Sequence, residues 1–463
     1  MMKSTQQPVL PRMDLRAVLP IALVCVLMSA TRATAQQPQS PSAPVDAQSV
    51  RSAAEAYAAS AQRGADPRQA PRSKPGALTL QQAIDQAKAK NPTILAAEEN
   101  LRAVRGQEIQ AAVRANPYFT LYGTDVTENE SASNPYNYSA QFSRLFERGQ
   151  KRRWRMDDAK ATSAQTEAQL NDQIRQTVLA VKQAFTKMLV AKEALELSTA
   201  TLKDYRHEVE IGQDRYKAGD LAKLDYERLD LQLSSFESDQ SNDIVTLQQA
   251  SYQLQTLLGI DKPSDQFDVA GEVIPPVLAE TKDSLEQKAI AARPDFAAAG
   301  FAVNAADANY KLAVANGTTD PTAEVEFDRA GTENTVGFSV NIPLRLFDRN
   351  QGNKQTAKFQ ASSARFTLAA ARNQVTSDVD QAWVSYTEAR RLSDRFSDRY
   401  LDESHDVLNI SQYAFEHGGL TLIDYLDALR EFRSSTTDAL TAYQNTWLAI
   451  HQLSAASATE LLP

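Results

Sequence analysis

Cysteine is almost absent from this 463-residue chain, which has Cys25 as its one cysteine. Cys25 lies in an N-terminal segment with a basic start, an apolar stretch over residues 17–30 and small residues at Ala33–Ala35. These features predict a secretory signal peptide over residues 1–35. The alternative, lipid attachment at Cys25, requires a small residue before the cysteine, where this chain has Val24. The mature chain then has no cysteine, which excludes disulfides and thiolate metal sites.

The chain also lacks a long apolar run after residue 35. No later stretch approaches the roughly 20 apolar residues of a transmembrane helix, so any membrane span is predicted to be a β-barrel with alternating strands. Removing residues 1–35 takes four basic residues and one acidic residue from the chain's 49 and 58, which leaves 45 and 57, a net charge of −12. This acidic balance argues against a nucleic-acid partner. Residues 36–77 are predicted to be a flexible N-terminal segment.

Histidine is scarce, and the sequence carries no catalytic motif. The four histidines are scattered, and no two stand at the spacing of metal ligands. The chain has no HExxH, no glycine-rich phosphate loop and no GxSxG. We therefore predict that the protein is not an enzyme and has no cofactor and no resident metal.

The sequence does contain one pattern that occurs twice. The matching pairs are Lys90–Pro92 with Ala292–Pro294, Leu145–Gln150 with Leu346–Gln351, Gln183–Phe185 with Gln381–Trp383, and Tyr216–Gly219 with Phe415–Gly418. In chain order the offsets are 202, 201, 198 and 199 residues, which indicates a tandem duplication with small insertions. We predict two structural repeats, residues 78–260 and 281–463, joined by a linker at residues 261–280.

Each copy contains apolar residues at alternating steps of four and three, which is typical of a coiled-coil seam. In the first copy these are Ile174, Val178, Val181, Phe185 and Met188, followed by Leu195, Leu202 and Val209. In the second copy they are Val375, Val379, Ala382, Tyr386 and Ala389, followed by Phe396, Tyr400, Val407 and Ile410. We predict that each long helix reverses near a glycine, at Gly219 and at Gly418–Gly419, into another long helix.

Four short segments instead alternate polar and apolar residues, and they predict strand hairpins at about 117–145 and about 321–343. The clearest runs from Thr335 to Ile342, where Val336 and Phe338 oppose polar neighbours. The apolar face of such a sheet packs either on a protein core or against lipid. Four strands cannot close a barrel that needs about eight, whereas three chains would supply twelve.

Taken together, these features resemble the TolC family of outer-membrane efflux channels from about Leu78 to Leu462. The resemblance is carried by Leu78–Leu80 with Ala83, Asn91–Pro92, the two strand hairpins, Gln183–Phe185 and the two Gly-to-Asp helix turns. The strand exit Asn341–Gly352 looks most like members that serve heavy-metal exporters of the cobalt–zinc–cadmium type. The resemblance implies a mixed α/β, mostly α membrane protein. Its homotrimer would form a twelve-stranded β-barrel in the outer membrane of a Gram-negative-type bacterium, on a periplasmic α-helical tunnel with an equatorial collar around residues 262–279.

The function implied by the resemblance is a passive exit channel. It would conduct heavy-metal cations or small toxic compounds from the periplasm to the outside. Its partners would be outer-membrane lipid, a periplasmic adaptor protein and an inner-membrane pump. The competing hypothesis is a soluble periplasmic coiled-coil scaffold or adaptor whose strand hairpins pack on its own core. The duplicated strand pairs favour the channel, because an adaptor would show one β-domain interrupting one helical hairpin.

By the same resemblance, a periplasmic gate lies at the two helix turns. Members carry carboxylates on the inward side of the second turn, which Asp424 and Asp427 match, and Asp225 matches in the first turn. Three residues apart, Asp424 and Asp427 share a helix face, and threefold symmetry would make them two cation-selective rings. The alternative is that both are solvated residues favoured by a helix N-terminus. Phe415 and Leu420 stand where the family has a latching aromatic and a latching arginine, so we predict apolar closure.

Two further sets of residues complete the predicted sites. Gly219, Asp220, Gly418 and Gly419 are the expected helix-turn tips on which the adaptor docks. Glu324, Glu326 and Asp328 are expected to face the barrel lumen if Val325 and Phe327 face lipid. The alternative for the three acidic residues is a polar lumen without a role in selectivity.

Overall fold

The structure is a computed structural model that describes residues 66–68, 70–124 and 137–461. The predicted signal peptide with Cys25, most of the predicted flexible segment and the centre of the first strand hairpin lie outside the described residues. The helices are α1 (Leu80–Lys90), α2 (Pro92–Ala111), α3 (Lys151–Ala218), α4 (Lys223–Leu257), α5 (Lys282–Ala292), α6 (Pro294–Ala315), α7 (Gln351–Arg395), α8 (Leu401–Glu416) and α9 (Leu422–Ser457). The strands are β1 (Tyr118–Thr124), β2 (Asn137–Leu145), β3 (Thr322–Ala330) and β4 (Glu333–Asn341). Among the described helices, none combines the length and the apolar character that crossing a membrane requires.

Both halves of the chain have the same order of elements: two short helices, two strands and a long helical hairpin. The equivalence extends to single hydrogen bonds. At the corner between α1 and α2, Asn91 donates through its side-chain amide to the carbonyl of Leu257 at 2.8 Å. At the corner between α5 and α6, Arg293 donates to the carbonyl of Ala456 at 3.4 Å. The last helix of each half is therefore fixed to the first corner of the same half.

Between the match of Gln183 with Gln381 and the helix turns, the second hairpin has one residue more than the first. Helix α3 is a continuous α-helix of 68 residues, whereas a π turn at Phe396–Tyr400 separates α7 from α8. The offset between the halves is 198 residues for Val181 and Val379 but 199 residues for Leu202 and Leu401. A π turn closes its hydrogen bond over five residues rather than four and so takes up one extra residue. The π turn is therefore where the second half accommodates its insertion.

The predicted seam is confirmed before the π turn and wrong after it. Before the turn, the buried seam positions are Val375, Val379, Ala382 and Tyr386. Tyr400, the last residue of the π turn, and Val407 after it are 38% and 50% exposed, although both were predicted as seam positions. Leu401 is 3% exposed instead, and Leu408 packs on a buried cluster, each one residue later than predicted. The extra residue held by the π turn shifts the seam by one position.

The four strands form one antiparallel sheet in the order β1-β2-β3-β4, so β2 and β3 join the two halves. The register pairs Phe142 with Val325 and Val325 with Phe338, which places these side chains on one face. Glu326 lies on the opposite face, where it accepts hydrogen bonds from Tyr122 and Ser139. The predicted strands and their alternation are confirmed in the described residues.

Residues 70–77 fall in the segment predicted to be flexible, and the structure instead gives them fixed partners. The amide of Lys74 donates to Asp268 at 2.8 Å, and Leu78 pairs with Val269 in a parallel bridge. The ammonium of Lys192, on α3, binds Asp268 at 2.6 Å and lies almost wholly out of solvent. These contacts attach the stretch before α1 and the linker at residues 261–280 to the side of α3. The Asp268 carboxylate is the charged partner that the buried ammonium of Lys192 needs.

Candidate functional site

The two long hairpins end in turns with the same backbone geometry. At turn 1 (residues 219–222), Gly219 has a φ of 88°, and the amide of Asp220 donates to the carbonyl of Arg215 at 2.9 Å. At turn 2 (residues 417–421), Gly418 has a φ of 73°, and the amide of Gly419 donates to the carbonyl five residues earlier at 2.7 Å. A left-handed glycine followed by this hydrogen bond is the Schellman motif, which ends a helix abruptly. All four predicted tip residues are exposed here.

The helices that leave the two turns start differently. Helix α4 begins after Ala222, whose side chain makes no cap. Helix α9 is capped by Thr421, which accepts from the amide of Asp424 at 3.3 Å and donates its hydroxyl to the Asp424 carboxylate at 2.6 Å. The cap stabilises the start of α9, because the hydroxyl satisfies an amide that would otherwise lack a partner.

The predicted acidic residues lie at the start of these helices. Asp424 and Asp427 are both on the exposed side of α9, away from the buried Tyr425. Asp424 lies at the capped N-terminus of α9, which the alternative interpretation expects. Both carboxylates are also exposed, which the ring hypothesis requires. Sequence reasoning missed Arg430, which forms an ion pair with Asp427 at 2.8 Å, although its i, i+3 spacing was visible. Asp225 lies within 3.5 Å of an arginine at the same spacing.

One stacked aromatic pair lies behind each turn. Tyr216 and Tyr226 stack at turn 1 with ring centroids 5.3 Å apart and planes 4° apart. Phe415 and Tyr425 stack at turn 2 with centroids 5.2 Å apart and planes also 4° apart. Offset stacking of this kind adds stability beyond the burial of area. The sequence analysis did not name these pairs, although a ten-residue aromatic spacing in both halves was the available signal.

A shared apolar cluster, called here the tip cluster, connects the two hairpins above the turns. Its buried members are Leu202, Tyr205, Val209, Leu229, Phe236, Leu422, Tyr425, Leu426 and Leu429, with Leu221, Leu233, Leu408, Phe415 and Leu420 packed around them. Phe415 and Leu420 are half-buried on this cluster. The two residues predicted to close the mouth therefore pack on a surface that both hairpins build.

Polar side chains also meet between the hairpins. Gln412 of α8 donates to Glu208 of α3 at 3.2 Å. Burial raises the pKa of Glu208 above its ordinary value, and the nearby Glu416 carboxylate raises this pKa further. Two carboxylates on opposite hairpins therefore oppose close approach when both are ionised.

Glu324, Glu326 and Asp328 share one face of β3, and Val325 and Phe327 share the other. The acidic side is half-covered and is held by hydrogen bonds from the neighbouring strand, such as the one that Gln141 donates to Glu324. The apolar side is open, with Val325 54% and Phe338 89% exposed. In the described part of the chain, no three His, Cys, Asp or Glu side chains are grouped so that they could hold a metal ion.

A sheet with an open apolar face, joined to two long helical hairpins, is an arrangement suited to a membrane protein. The family model for outer membrane efflux proteins matches this chain at residues 83–260 and 285–459. The chain therefore belongs to the outer membrane efflux protein family. The predicted family and role are confirmed: the protein is an outer-membrane exit channel for efflux that extends into the periplasm, and it is not an enzyme. The competing hypothesis of a soluble periplasmic scaffold or adaptor does not fit this family.

Individual proteins agree with this assignment. The chain is similar to the cobalt-zinc-cadmium resistance protein CzcC of Cupriavidus metallidurans, with 26% identity over 365 residues, which are 78% of this chain and 85% of the relative. The fold is similar to a membrane protein from Pseudomonas aeruginosa, with a TM-score of 0.71, 19% identity and coverage of 91% of this chain and 99% of that one. It is also similar to the MtrE outer membrane channel of Neisseria gonorrhoeae in its open state, with a TM-score of 0.70, 19% identity and coverage of 82% and 89%. The mostly helical fold with a small sheet is common to this chain and the two solved structures.

Proposed function

We propose that three copies of this chain form the outer-membrane duct of a tripartite exporter. Their sheets would close a twelve-stranded barrel, and their helical hairpins would form a periplasmic tunnel. An adaptor protein would dock on Gly219, Asp220, Gly418 and Gly419 at the turns, and an inner-membrane pump would supply the energy. Residues 78–260 and 281–463 would be two copies of one unit joined by the linker at 261–280, which agrees with the two-part family match.

The observation that carries this proposal is the orientation of the sheet. A sheet that packs on its own protein core hides its apolar face, but here the apolar face is open and the acidic face is half-covered. An outward apolar band with a polar interior is the pattern of an outer-membrane barrel. The sheet also has two free edges, β1 and β4, which would pair between neighbouring chains and remove every edge.

We expect that the mature protein is extracted from membranes only by detergent and that the extracted particle has the mass of three chains. The measurement is fractionation of the outer membrane followed by light scattering of the detergent-solubilised particle. A particle of one chain, or extraction without detergent, would contradict the proposed barrel.

The proposed cargo is a heavy-metal cation. Support comes from the similarity to a cobalt-zinc-cadmium resistance protein and from the acidic residues at both ends of the duct. Asp424 and Asp427 would form two rings at the inner mouth, with Asp225 and the apolar pair Phe415 and Leu420 beside them. Rings of carboxylates favour cations in a pore.

Replacing both ring residues (Asp424→Asn with Asp427→Asn) is expected to weaken block of the channel by a divalent cation about ten-fold or more. Each carboxylate within about 4 Å of a cation is worth about 1 kcal/mol per unit charge even in water, and six would be lost. The measurement is conductance in planar bilayers with added cobalt or zinc. A deletion strain carrying this variant should also become more sensitive to these metals.

The matched control is Asp438→Asn, which removes an exposed carboxylate from the same helix, about 16–21 Å farther from the turn than the two ring residues. Equal effects of the control and of the ring variant would show that general charge, and not the rings, attracts the cation. Unchanged block in the ring variant would leave Asp424 and Asp427 as helix N-terminal residues only.

A further inference from the structure

We propose that Arg144 and Arg148 bind the phosphate of an anionic phospholipid at the end of the sheet from which the long helices start. The inference rests on the proposed barrel, for which it names a lipid class and the residues that bind it. Both arginines belong to a motif that the duplication repeats, because Arg144–Arg148 returns as Arg345–Arg349 with the pattern Arg-Leu-Phe, an acidic residue and Arg. Neither a coiled-coil seam nor strand alternation requires this motif.

Both copies of the motif lie at the same end of the sheet. Strand β2 ends at Leu145 and β4 ends at Asn341, and the register aligns both residues with Thr322, the first residue of β3. Helices α3 and α7 begin directly after the two motifs, at Lys151 and Gln351. Since the helical hairpins extend into the periplasm, this end of the sheet is the periplasmic end of the proposed barrel.

Arg144 is the last side chain of β2 on the open apolar face of the sheet. It follows Phe142 by two residues and pairs with Ala323, so period two places it on the face that carries Phe142 and Val325. Arg144 is exposed, and its guanidinium carbon lies 5.3 Å from the centroid of the exposed Phe146 ring. In the described part of the chain, the Arg144 side chain has no hydrogen bond and no ion pair. The anion that balances this charge therefore comes from outside the chain.

A second arginine lies at the opposite end of the same face. Arg329 shares its face of β3 with Phe327, and its guanidinium carbon is 6.0 Å from the centroid of the Tyr138 ring. Arg144 is aligned with Ala323, six residues before Arg329, so the two arginines are about 20 Å apart along the strands. The apolar band of outer-membrane barrels is about 25 Å tall, and long basic side chains extend from its edges toward water. Arg144 therefore lies at the periplasmic edge of the band.

The segment that contains both arginines is strongly basic, although the whole chain is acidic. Residues 144–155 contain six basic residues and one acidic residue, Glu147. Two of the six are neutralised within the chain, because Lys151 pairs with Asp320 at 2.5 Å and Arg155 pairs with Glu147. The first turn of α3 adds no acidic residue. This uncompensated positive charge attracts an anionic headgroup.

Arg148 provides a second open cation at this edge. Its side chain is exposed, and its backbone amide donates to the Asp320 carboxylate at 2.8 Å, which fixes the position of the backbone. Among the described residues, the guanidinium of Arg148 has neither a hydrogen bond nor an ion pair. Both charges of the first motif are therefore available to a headgroup.

The second copy of the motif differs in a way that suits the acyl chains. Arg345, the counterpart of Arg144, is half-buried and interacts electrostatically with Asp320. Phe347 and Leu344 at this end of the sheet are 91% and 79% exposed. Open cations beside exposed apolar side chains favour a phospholipid over a free phosphate ion, because a phospholipid places its phosphate at the boundary between its acyl chains and water.

The test measures lipid binding by the whole detergent-solubilised channel. Delipidated protein is titrated with phosphatidylglycerol or with phosphatidylcholine, whose phosphate is balanced by its own cation, and bound lipid is counted by native mass spectrometry. We expect the wild type to bind phosphatidylglycerol at least about five-fold more tightly. Arg144→Gln should lower the affinity for phosphatidylglycerol about five-fold, the contribution of one basic residue at a lipid surface, and leave that for phosphatidylcholine unchanged. Adding Arg148→Gln should lower it further.

Two variants and one competitor serve as controls. Arg206→Gln removes an exposed arginine, paired with Glu237, from the middle of the first hairpin and should keep the wild-type affinity. Arg144→Lys keeps the charge and should retain most of the preference for phosphatidylglycerol, which separates a loss of charge from a loss of packing on Phe146. Inorganic phosphate in large excess should not displace the bound phosphatidylglycerol.

Three results would overturn the lipid site. They are equal affinities of the wild type for the two lipids, equal effects of Arg144→Gln and Arg206→Gln, and displacement of phosphatidylglycerol by inorganic phosphate, which would make the site one for the free ion. The same spectra give the number of chains in the particle. A particle of one chain contradicts the proposed function, whereas a trimer that does not distinguish the two lipids contradicts only the lipid site.

Discussion

A chain carrying Phe338→Arg is expected not to accumulate as a trimer in the outer membrane, whereas a chain carrying Ser339→Arg is expected to do so. Phe338 lies in the middle of β4 and is 89% exposed on the apolar face of the sheet. In lipid, an arginine near the middle of a barrel strand costs about 2–4 kcal/mol, and three chains would each contribute this cost. Such a penalty is comparable with the whole stability of many proteins.

The neighbouring residue provides the matched control. Ser339 follows Phe338 on the same strand but lies on the opposite face, directly across from Glu324. An arginine there would meet a carboxylate in the proposed aqueous lumen. The measurement is the amount of each variant in purified outer membrane, normalised to total protein. If Phe338→Arg inserts as well as Ser339→Arg, the apolar face meets water and the proposed barrel is wrong.

Replacing Glu193 by glutamine is expected to stabilise the protein at pH 8 by about 3–5 kcal/mol per chain and to change little at pH 4.5. Glu193 is 4% exposed in α3, and its Oε2 atom has no hydrogen-bond partner among the described residues. Burial, together with the nearby carboxylates of Glu196 and Asp66 and against the opposing effect of Lys192, raises the pKa of Glu193 to about 8. Glutamine keeps the shape of the side chain and removes the charge.

The sign of the pH dependence follows from this raised pKa. Between pH about 4.5 and pH about 8 the folded state holds a proton on Glu193 that the unfolded chain has released. The contribution of this residue to the free energy of unfolding is therefore largest below pH 4.5, and it falls as the pH rises toward 8. Glu193→Gln should flatten that slope in thermal unfolding followed by circular dichroism. The control is Glu237→Gln, which replaces an exposed glutamate paired with Arg206 and should keep the wild-type slope. An unchanged slope in Glu193→Gln would contradict the prediction, because it would mean that water or a partner reaches the Glu193 carboxylate.

The local parts of the fold could be predicted from the sequence. The alternation of Val336 and Phe338 with polar neighbours gave the two faces of β4, because period two maps directly onto a strand. Glycines marked both helix reversals, because only glycine adopts the left-handed conformation there without cost. The predicted seam was wrong at Tyr400 and Val407, because a heptad count assumes an uninterrupted α-helix. The change of offset from 198 to 199 residues was the sign of the interruption.

The long-range parts could not be predicted in the same way. The pairing of β2 with β3 joins residues such as Gln141 and Glu326 from different halves, and no local pattern specifies that register. The guanidinium of Arg215 lies over the ring of Phe415 across the two hairpins, and neither helix specifies this contact alone. The acidic residues of the candidate site were found because a resemblance marked their positions. Their partners, Thr421 and Arg430, follow from helix geometry once the start of α9 is fixed.

The π turn lets the second hairpin hold one extra residue without a change in its side-chain packing. A residue inserted into an ordinary helix rotates everything beyond it by about 100° and would turn Leu401 and Leu408 away from their contacts. Here the insertion ends at Phe396–Tyr400, and the side chains on both sides keep their partners. The turn therefore lets one arm of the hairpin differ in length by one residue from its counterpart in the first half, while the tip cluster beyond it keeps its packing.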